Sequence, residues 1–153
     1  MSRVVGLDPG SKRIGVAVSD SERSTAVPVA VVEVTRERPA TLRQLATLIR
    51  AYEATEVVVG LPTSLDGVER AAAAQARTLG RQLAELTGLP VGHHDERLTT
   101  VTADRLLAEA GHDSRSRRKV VDQVAAAVML QSWLDRHRSD LPDPADARPS
   151  VSR

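Results

Sequence analysis

The chain has 153 residues, of which 21 are basic and 20 acidic, so its formal net charge of +1 provides no global field that attracts nucleic acid. This length suits a single domain, and with one Trp, one Tyr and no Phe its core must consist of Val, Leu, Ile and Ala. Zero cysteines exclude disulfides, and no apolar run approaches the roughly 20 residues that cross a bilayer, so a cytoplasmic protein without a membrane partner is expected.

Three apolar runs at the start of the chain predict an antiparallel meander. Residues 3–8 and 13–19 are rich in Val and Ile and flank a Pro-Gly turn, which is typical of a hairpin. Residues 27–34 form a third β-prone run, but Pro28 cannot donate a hydrogen bond to a neighbouring strand. We therefore place the third strand at the edge of the sheet.

Beyond the meander the sequence alternates between helical and strand patterns. In chain order it predicts a helix from Pro39 to about Tyr52, a strand at 56–61, a helix from Asp66 to Gly88, a strand at 90–95, and helices at about 100–110 and 116–137. The strand at 56–61 is apolar throughout after Glu56, which is typical of a strand covered on both faces. Residues 138–153 contain three prolines and no periodicity, so we expect a disordered tail.

This order of elements predicts an α/β fold with a five-stranded mixed sheet in the spatial order 3-2-1-4-5. Right-handed crossovers, the edge position of the third strand and the polar character of the fifth favour that order. The first strand then lies at the centre, parallel to the fourth and fifth. The carboxyl ends of these strands share one edge of the sheet, which is the usual place for a site. We expect residues 1–137 to form this single domain.

Three carboxylates are candidates for a site at that edge. Asp8 ends the first strand, Glu96 follows the fifth, and Asp122 lies among apolar neighbours in the last helix. Because two strand spacings make roughly 10 Å, a glutamate reaches Asp8 better than the shorter Asp95 would. Together the three resemble a cage for Mg²⁺ or Mn²⁺, which prefer oxygen ligands and serve phosphodiester cleavage.

Each of these carboxylates also has a simpler interpretation. Asp8 alone suits a turn, because an aspartate side chain bonds to nearby backbone. Glu96 alone suits a solvated loop or a pair with Arg97, and Asp122 an ion pair with Arg118 four residues earlier. The histidines lack the spacing of a zinc site and are expected at the surface; they are His93, His94, His112 and His137.

Basic side chains cluster at two places near these carboxylates. Lys12 and Arg13 lie in the first hairpin beside Asp8, and a second group stands at the start of the last helix, where positive charge opposes the helix dipole. The second group consists of Arg115, Arg117, Arg118 and Lys119. Both groups are candidates for contacts with phosphates, and the alternative is a solvated run of charge.

Several motifs of the chain resemble those of the YqgF (RuvX) family. They are Leu7–Asp20, Gly60-Leu61-Pro62 followed by Asp66-Gly67, Asp95–Thr100 and Asp122–Ala126, in that order. The resemblance covers about residues 3–137 and implies an RNase H-like nuclease domain similar to Holliday-junction resolvases. It also implies catalytic and metal-binding roles for Asp8, Glu96 and Asp122. Arg97, inside the third motif, joins the nucleic-acid-binding candidates.

The family is assigned in bacteria to the maturation of the 5′ end of pre-16S rRNA. The resemblance therefore implies a metal-dependent nuclease whose partners are pre-rRNA and the small-subunit precursor. Alternatives are a Holliday-junction resolvase acting on branched DNA and a non-catalytic nucleic-acid-binding protein. An ATP-binding fold of the sugar-kinase type needs a second domain, for which 153 residues leave no room. No helix has an unused apolar face that demands a dimer, so we expect a monomer or weak dimer.

Overall fold

Five strands form the single sheet on which the fold is built. They are β1 (Arg3–Pro9), β2 (Arg13–Ser19), β3 (Ala26–Glu33), β4 (Ala54–Leu61) and β5 (Val91–Asp95). Their spatial order is β3-β2-β1-β4-β5, with β1 antiparallel to β2 and parallel to β4, and β4 parallel to β5. The predicted topology is confirmed. The computed structural model describes residues 2–62, 67–96 and 114–137, without the side chains of 67–69 and 114–120.

The edge position of β3 follows from Pro28. Pro28 pairs with Ala17 of β2 at an irregularity in the register between the two strands. A residue without an N–H is tolerated at a bulge on an outermost strand, because no further strand needs its donor.

In the part of the chain that the structure describes, three helices cover the two faces of the sheet: α1 (Arg38–Ala51), α2 (Gly67–Thr87) and α3 (Ser114–His137). Side chains alternate between faces along a strand. Val5 and Leu7 of β1 therefore pack with α1 and α2, whereas Val4 packs with Met129 and Leu130 of α3. The result is two apolar layers with β1 and β4 buried between them. None of these helices, over the residues that the structure describes, has the length and apolarity of a membrane span.

The ends of the helices match most of the signals in the sequence. Pro39 lies in the first turn of α1, and Gly88 follows α2 with a φ of +73°, a conformation that glycine adopts without steric cost. Leu86, which the helical period assigns to the buried stripe of α2, is 43% exposed, so the stripe ends at Leu83. The predicted start of this helix at Asp66, the predicted helix at 100–110 and the predicted tail lie outside the described residues.

Glycines let α3 lie directly on the sheet backbone. A Cβ at Gly6 of β1 would stand 2.8 Å from Leu130 Cβ, and a Cβ at Gly15 of β2 would overlap the carbonyl oxygen of Asp122. Because the two glycines have no side chains, the helix approaches β1 and β2 more closely than other residues would permit. This close approach brings Asp122 over β2.

Candidate active site

Asp8 stands near the carboxyl end of β1 with a glycine on either side. It pairs with Gly15 of β2, and since Leu7 pairs with Val59 of β4, the continued register brings Gly60 to its other side. The alternation of the strand points the Asp8 side chain to the face that α3 covers. With no side chain on either neighbour, the carboxyl group has lateral room on that face.

Glu96 meets Asp8 across Gly60. A Cβ at Gly60 would lie 3.6 Å from Asp8 Oδ1 and 3.7 Å from Glu96 Oε1, so the two carboxyl groups flank the space above this glycine. They are joined by a side-chain hydrogen bond. The sequence predicted that a glutamate after β5 could reach β1, and the bare backbone at Gly60 is what leaves the path open.

The environment of Asp8 favours its protonated form. Burial comes first, followed by the hydrogen bond and negative charge of Glu96 and the charge of Asp122, and together they raise the pKa of Asp8 to about 8. At neutral pH and without a cation, burial and the neighbouring carboxyl groups therefore favour the neutral form of Asp8.

Asp122 approaches this pair but is bound to an arginine. Arg13 Nε of β2 donates a hydrogen bond to Asp122 Oδ2 at 2.6 Å, and both side chains are 27% exposed. The charge of Asp122 still acts on Asp8. Sequence reasoning considered Arg118 as the ion-pair partner of Asp122, and that side chain lies outside the described part of α3. Arg13 therefore joins the first hairpin to α3.

The carboxylates fit a divalent cation in part. Within residues 2–62, 67–96 and 114–137, no group of three acidic or histidine side chains is arranged as a ready metal cage. Asp8 and Glu96 could hold a hard cation through their oxygens, and such an ion would offset the repulsion between their negative charges. Asp122 could become a third ligand after release from Arg13.

Only part of the predicted phosphate contacts lies within the described residues. Lys12 is exposed in the turn beside Asp8. Arg115, Arg117, Arg118 and Lys119 belong to the first two turns of α3, and their side chains, like all of Arg97, are outside the described residues. Their roles stay predictions.

Two arginines near the site were missed by sequence reasoning. Arg36 and Arg38 line the same cavity as Asp8 and Glu96. The signal was available: β3 runs in the same direction as β1, so the residues after it emerge at the edge where Asp8 stands.

His94 is buried, so its predicted place at the surface is wrong. It is 3% exposed, and its Nε2 lies 3.1 Å from the Ser132 hydroxyl of α3. Burial, with the nearby charges of Arg136 and His137, lowers the pKa of His94. His94 pairs in register with Gly60, and its contact with Ser132 attaches β5 to α3 two residues before Glu96.

Metal-free stability should depend on pH through Asp8. The group binds a proton more tightly in the folded protein (pKa about 8) than in the unfolded chain (3.8), so it stabilises the fold most at low pH. This contribution to the free energy of unfolding is lost as pH rises from the lower to the higher of these two pKa values, by up to about 1.4 kcal/mol per pH unit. We expect Asp8→Asn to gain stability over the wild type between pH 5 and pH 8, measured by urea unfolding with EDTA.

The matched comparison for that experiment is Asp122→Asn. It also removes a negative charge near Asp8, but it leaves Arg13 without its 2.6 Å partner, so the gain at pH 8 should be absent or reversed. Asp20, whose pKa is lowered by hydrogen bonds from Ser24, titrates equally in every variant and cancels in the differences. The difference in free energy of unfolding between Asp8→Asn and the wild type should change with pH. A difference that stays constant from pH 5 to pH 8 would contradict the raised pKa of Asp8.

Comparisons with known proteins agree on family and fold. The family model described as RuvX, Holliday junction resolvase, matches residues 2–136. A relative from Lactobacillus delbrueckii subsp. bulgaricus is 45% identical over 141 residues, covering 90% of this chain and 99% of its own. A relative from Anaeromyxobacter sp. is 47% identical over 136 residues, covering 88% of this chain and 98% of its own. Both are named "Putative pre-16S rRNA nuclease".

Two solved structures share the fold at low sequence identity. RuvC of Thermus thermophilus, in complex with a Holliday junction substrate, has a TM-score of 0.59 at 15% identity and covers 92% of this chain and 97% of its own. The fowlpox virus resolvase with Holliday junction DNA has a TM-score of 0.53 at 10% identity and covers 88% of this chain and 97% of its own. These likenesses, with the observed sheet order, confirm the predicted RNase H-like fold class.

Proposed function

This chain belongs to the family described as RuvX, Holliday junction resolvase, and on that premise we propose a divalent-metal-dependent nuclease that processes the 5′ end of pre-16S rRNA. The observation that carries the proposal is the meeting of Asp8 and Glu96 at the carboxyl edge of the sheet. Two hydrogen-bonded carboxyl groups, one with a pKa of about 8, destabilise the metal-free fold at neutral pH when they ionise. The same oxygens are well placed to bind a cation.

The residues of the chain have distinct parts in this proposal. Asp8 and Glu96 would hold the cation, and Asp122 would be available as a third ligand once Arg13 had released it. A bound Mg²⁺ or Mn²⁺ would neutralise these charges and make a coordinated water more acidic. Arg13 and Lys12, on the hairpin beside Asp8, then contact the phosphates next to the bond that is cut.

Pre-rRNA is the first candidate substrate. The relatives that carry the rRNA nuclease name are 45% and 47% identical over nearly their full length. Branched DNA is the second candidate, favoured by the description of the family model. We place the protein in the cytoplasm, acting on the small-subunit precursor as a monomer or weak dimer.

A side-by-side cleavage assay tests the proposal. End-labelled RNA spanning the 5′ end of 16S rRNA and a four-way DNA junction are incubated with the protein and either Mg²⁺ or Mn²⁺. We expect cuts in the RNA at a few positions and no paired symmetric cuts in the junction. The reverse pattern would favour the resolvase, and no metal-dependent cutting of either substrate would overturn the nuclease assignment.

A further inference from the structure

We propose that the cavity beside Asp8 and Glu96 binds one unpaired nucleoside of the substrate, next to the phosphate that is cut. The inference rests on the proposed function and names a substrate feature that it requires. The cavity has a volume of about 520 Å³ and lies where the carboxyl ends of β1 and β4 meet α1 and α2. Asp8 and Glu96 are among the residues that line it.

The walls of this cavity suit the flat face of a base. Apolar side chains of β2, α1 and α2 line it: Ile14, Leu42, Ala72, Ala76 and Leu79. The small alanines leave α2 as a shallow wall against which a planar ring can lie. Among the described residues that line the cavity none is aromatic, so contact with the base is aliphatic and sequence-tolerant.

A few polar groups stand around these apolar walls. Thr35 and Thr41 share a hydrogen bond at 3.2 Å, and the side chain of Gln75 adds an amide that can donate and accept. Small-molecule sites commonly combine an apolar lining with a few such groups in about 300–1,000 Å³, and this cavity falls within that range. A base carries polar atoms at its edge and matches this arrangement.

The charges around the cavity fix how a nucleotide would enter. Asp8 and Glu96 line the cavity at the carboxyl edge of the sheet, with their carboxyl oxygens over Gly60, and exposed Arg36 and Arg38 line it as well. One phosphate of a strand that crosses this edge can therefore reach the carboxyl groups while its neighbour contacts an arginine. The charge pattern suits a bound nucleotide better than an apolar peptide or a lipid chain, which would leave the arginines without partners.

The occupant must be an unpaired nucleoside. A base inside a helix is stacked and paired, and its face cannot reach a cavity on a protein surface. A base that has left the stack can enter, as happens where proteins recognise loops, bulges and single-stranded ends. Cutting should then be favoured where the nucleotide beside the scissile phosphate is unpaired.

The test fills the cavity with one side chain. Ala72→Phe puts a ring into the cavity, and the matched control Ala74→Phe puts the same ring on an exposed position of α2. The probes are two RNA hairpins, one with a single unpaired 2-aminopurine in a bulge and one fully paired. Affinity is measured by fluorescence anisotropy, and the unstacking of the probe base by its own emission.

We expect Ala72→Phe to weaken binding of the bulged hairpin by about tenfold, the effect of losing one base contact, and to abolish the rise in emission. Ala74→Phe should bind like the wild type, and neither variant should change affinity for the paired hairpin. Equal behaviour of the two variants, or equal losses on both hairpins, would overturn the inference.

A second pair of variants keeps the test valid where a ring at Ala72 perturbs folding, as seen in a lower melting temperature. Arg38→Ala removes a rim cation, and Arg43→Ala removes a cation of α1 that lies outside this cavity. Only Arg38→Ala should weaken binding of the bulged hairpin. If the protein cuts RNA but the paired variants bind alike, the inference fails and the proposed function stands. If the variants differ but nothing is cut, the cavity binds an unpaired nucleoside and the proposed nuclease function fails.

Discussion

Asp8→Asn should abolish nuclease activity while leaving the fold intact or more stable. Loss of a group that only orients a metal ligand costs about 10–100-fold in affinity or activity. Asp8 is a proposed ligand itself and shares a hydrogen bond with Glu96, so we expect cleavage to fall by more than about a hundredfold. Asparagine keeps the shape of the side chain but lacks the charge that binds a divalent cation.

The measurement is the initial rate of RNA cleavage at saturating Mg²⁺ or Mn²⁺, together with the melting temperature with and without Mn²⁺. The wild type should gain thermal stability from Mn²⁺, and Asp8→Asn should not. Glu85→Gln, the same chemical change on an exposed position of α2, is the control and should match the wild type in both assays. Cleavage by Asp8→Asn at the wild-type rate would show that the acid is misassigned.

Gly15→Ala should cause the largest loss of stability among single methyl additions to the sheet. The added Cβ would overlap the carbonyl oxygen of Asp122, which is helix backbone and cannot rotate away. Overpacking a core typically costs 1–3 kcal/mol, and a backbone partner puts this case at about 3 kcal/mol or more. Relief requires α3 to move away from β2, which would also displace Asp122 from Asp8 and reduce cleavage.

Urea unfolding of Gly15→Ala and Gly92→Ala checks this prediction. Gly92 lies in β5, and a Cβ there meets no atom within 4 Å, so the same substitution should change stability by less than about 0.5 kcal/mol. Gly6→Ala should fall between them, since its new Cβ would stand 2.8 Å from the Leu130 side chain, which can shift in part. Equal stability of Gly15→Ala and Gly92→Ala would mean that α3 does not lie on β2 as described.

The fold could be predicted from the sequence because its signals are local. Apolar runs separated by a Pro-Gly turn specify the first hairpin, and Pro28 alone is enough to assign β3 to an edge. Right-handed crossover connections then favour one spatial order for the remaining strands. The meeting of Asp8 and Glu96 follows from that order, since both residues stand where strands end at the same edge.

The rest of the site depends on contacts between distant segments, and there the sequence was a poor guide. Helical spacing offers Arg118, whose side chain lies outside the described residues, as a neighbour of Asp122. The structure adds a partner that no local pattern indicates, Arg13, 109 residues earlier in the chain. His94 was expected at the surface because the histidines of the chain lack the spacing of a zinc site. Its burial comes from Ser132 of a helix that packs over it, which no pattern around His94 reveals.

The glycines that flank Asp8 change what should be looked for among natural variants of this protein. Gly15 and Gly60 offer no acid, base or ligand, yet the space they leave open decides whether the carboxyl groups can assemble. A bulky residue at either position would inactivate the site while every reactive group stayed in the sequence. A survey of natural variants that considers only charged and polar positions would classify such a chain as having an intact site. Both glycines should therefore be included in that survey.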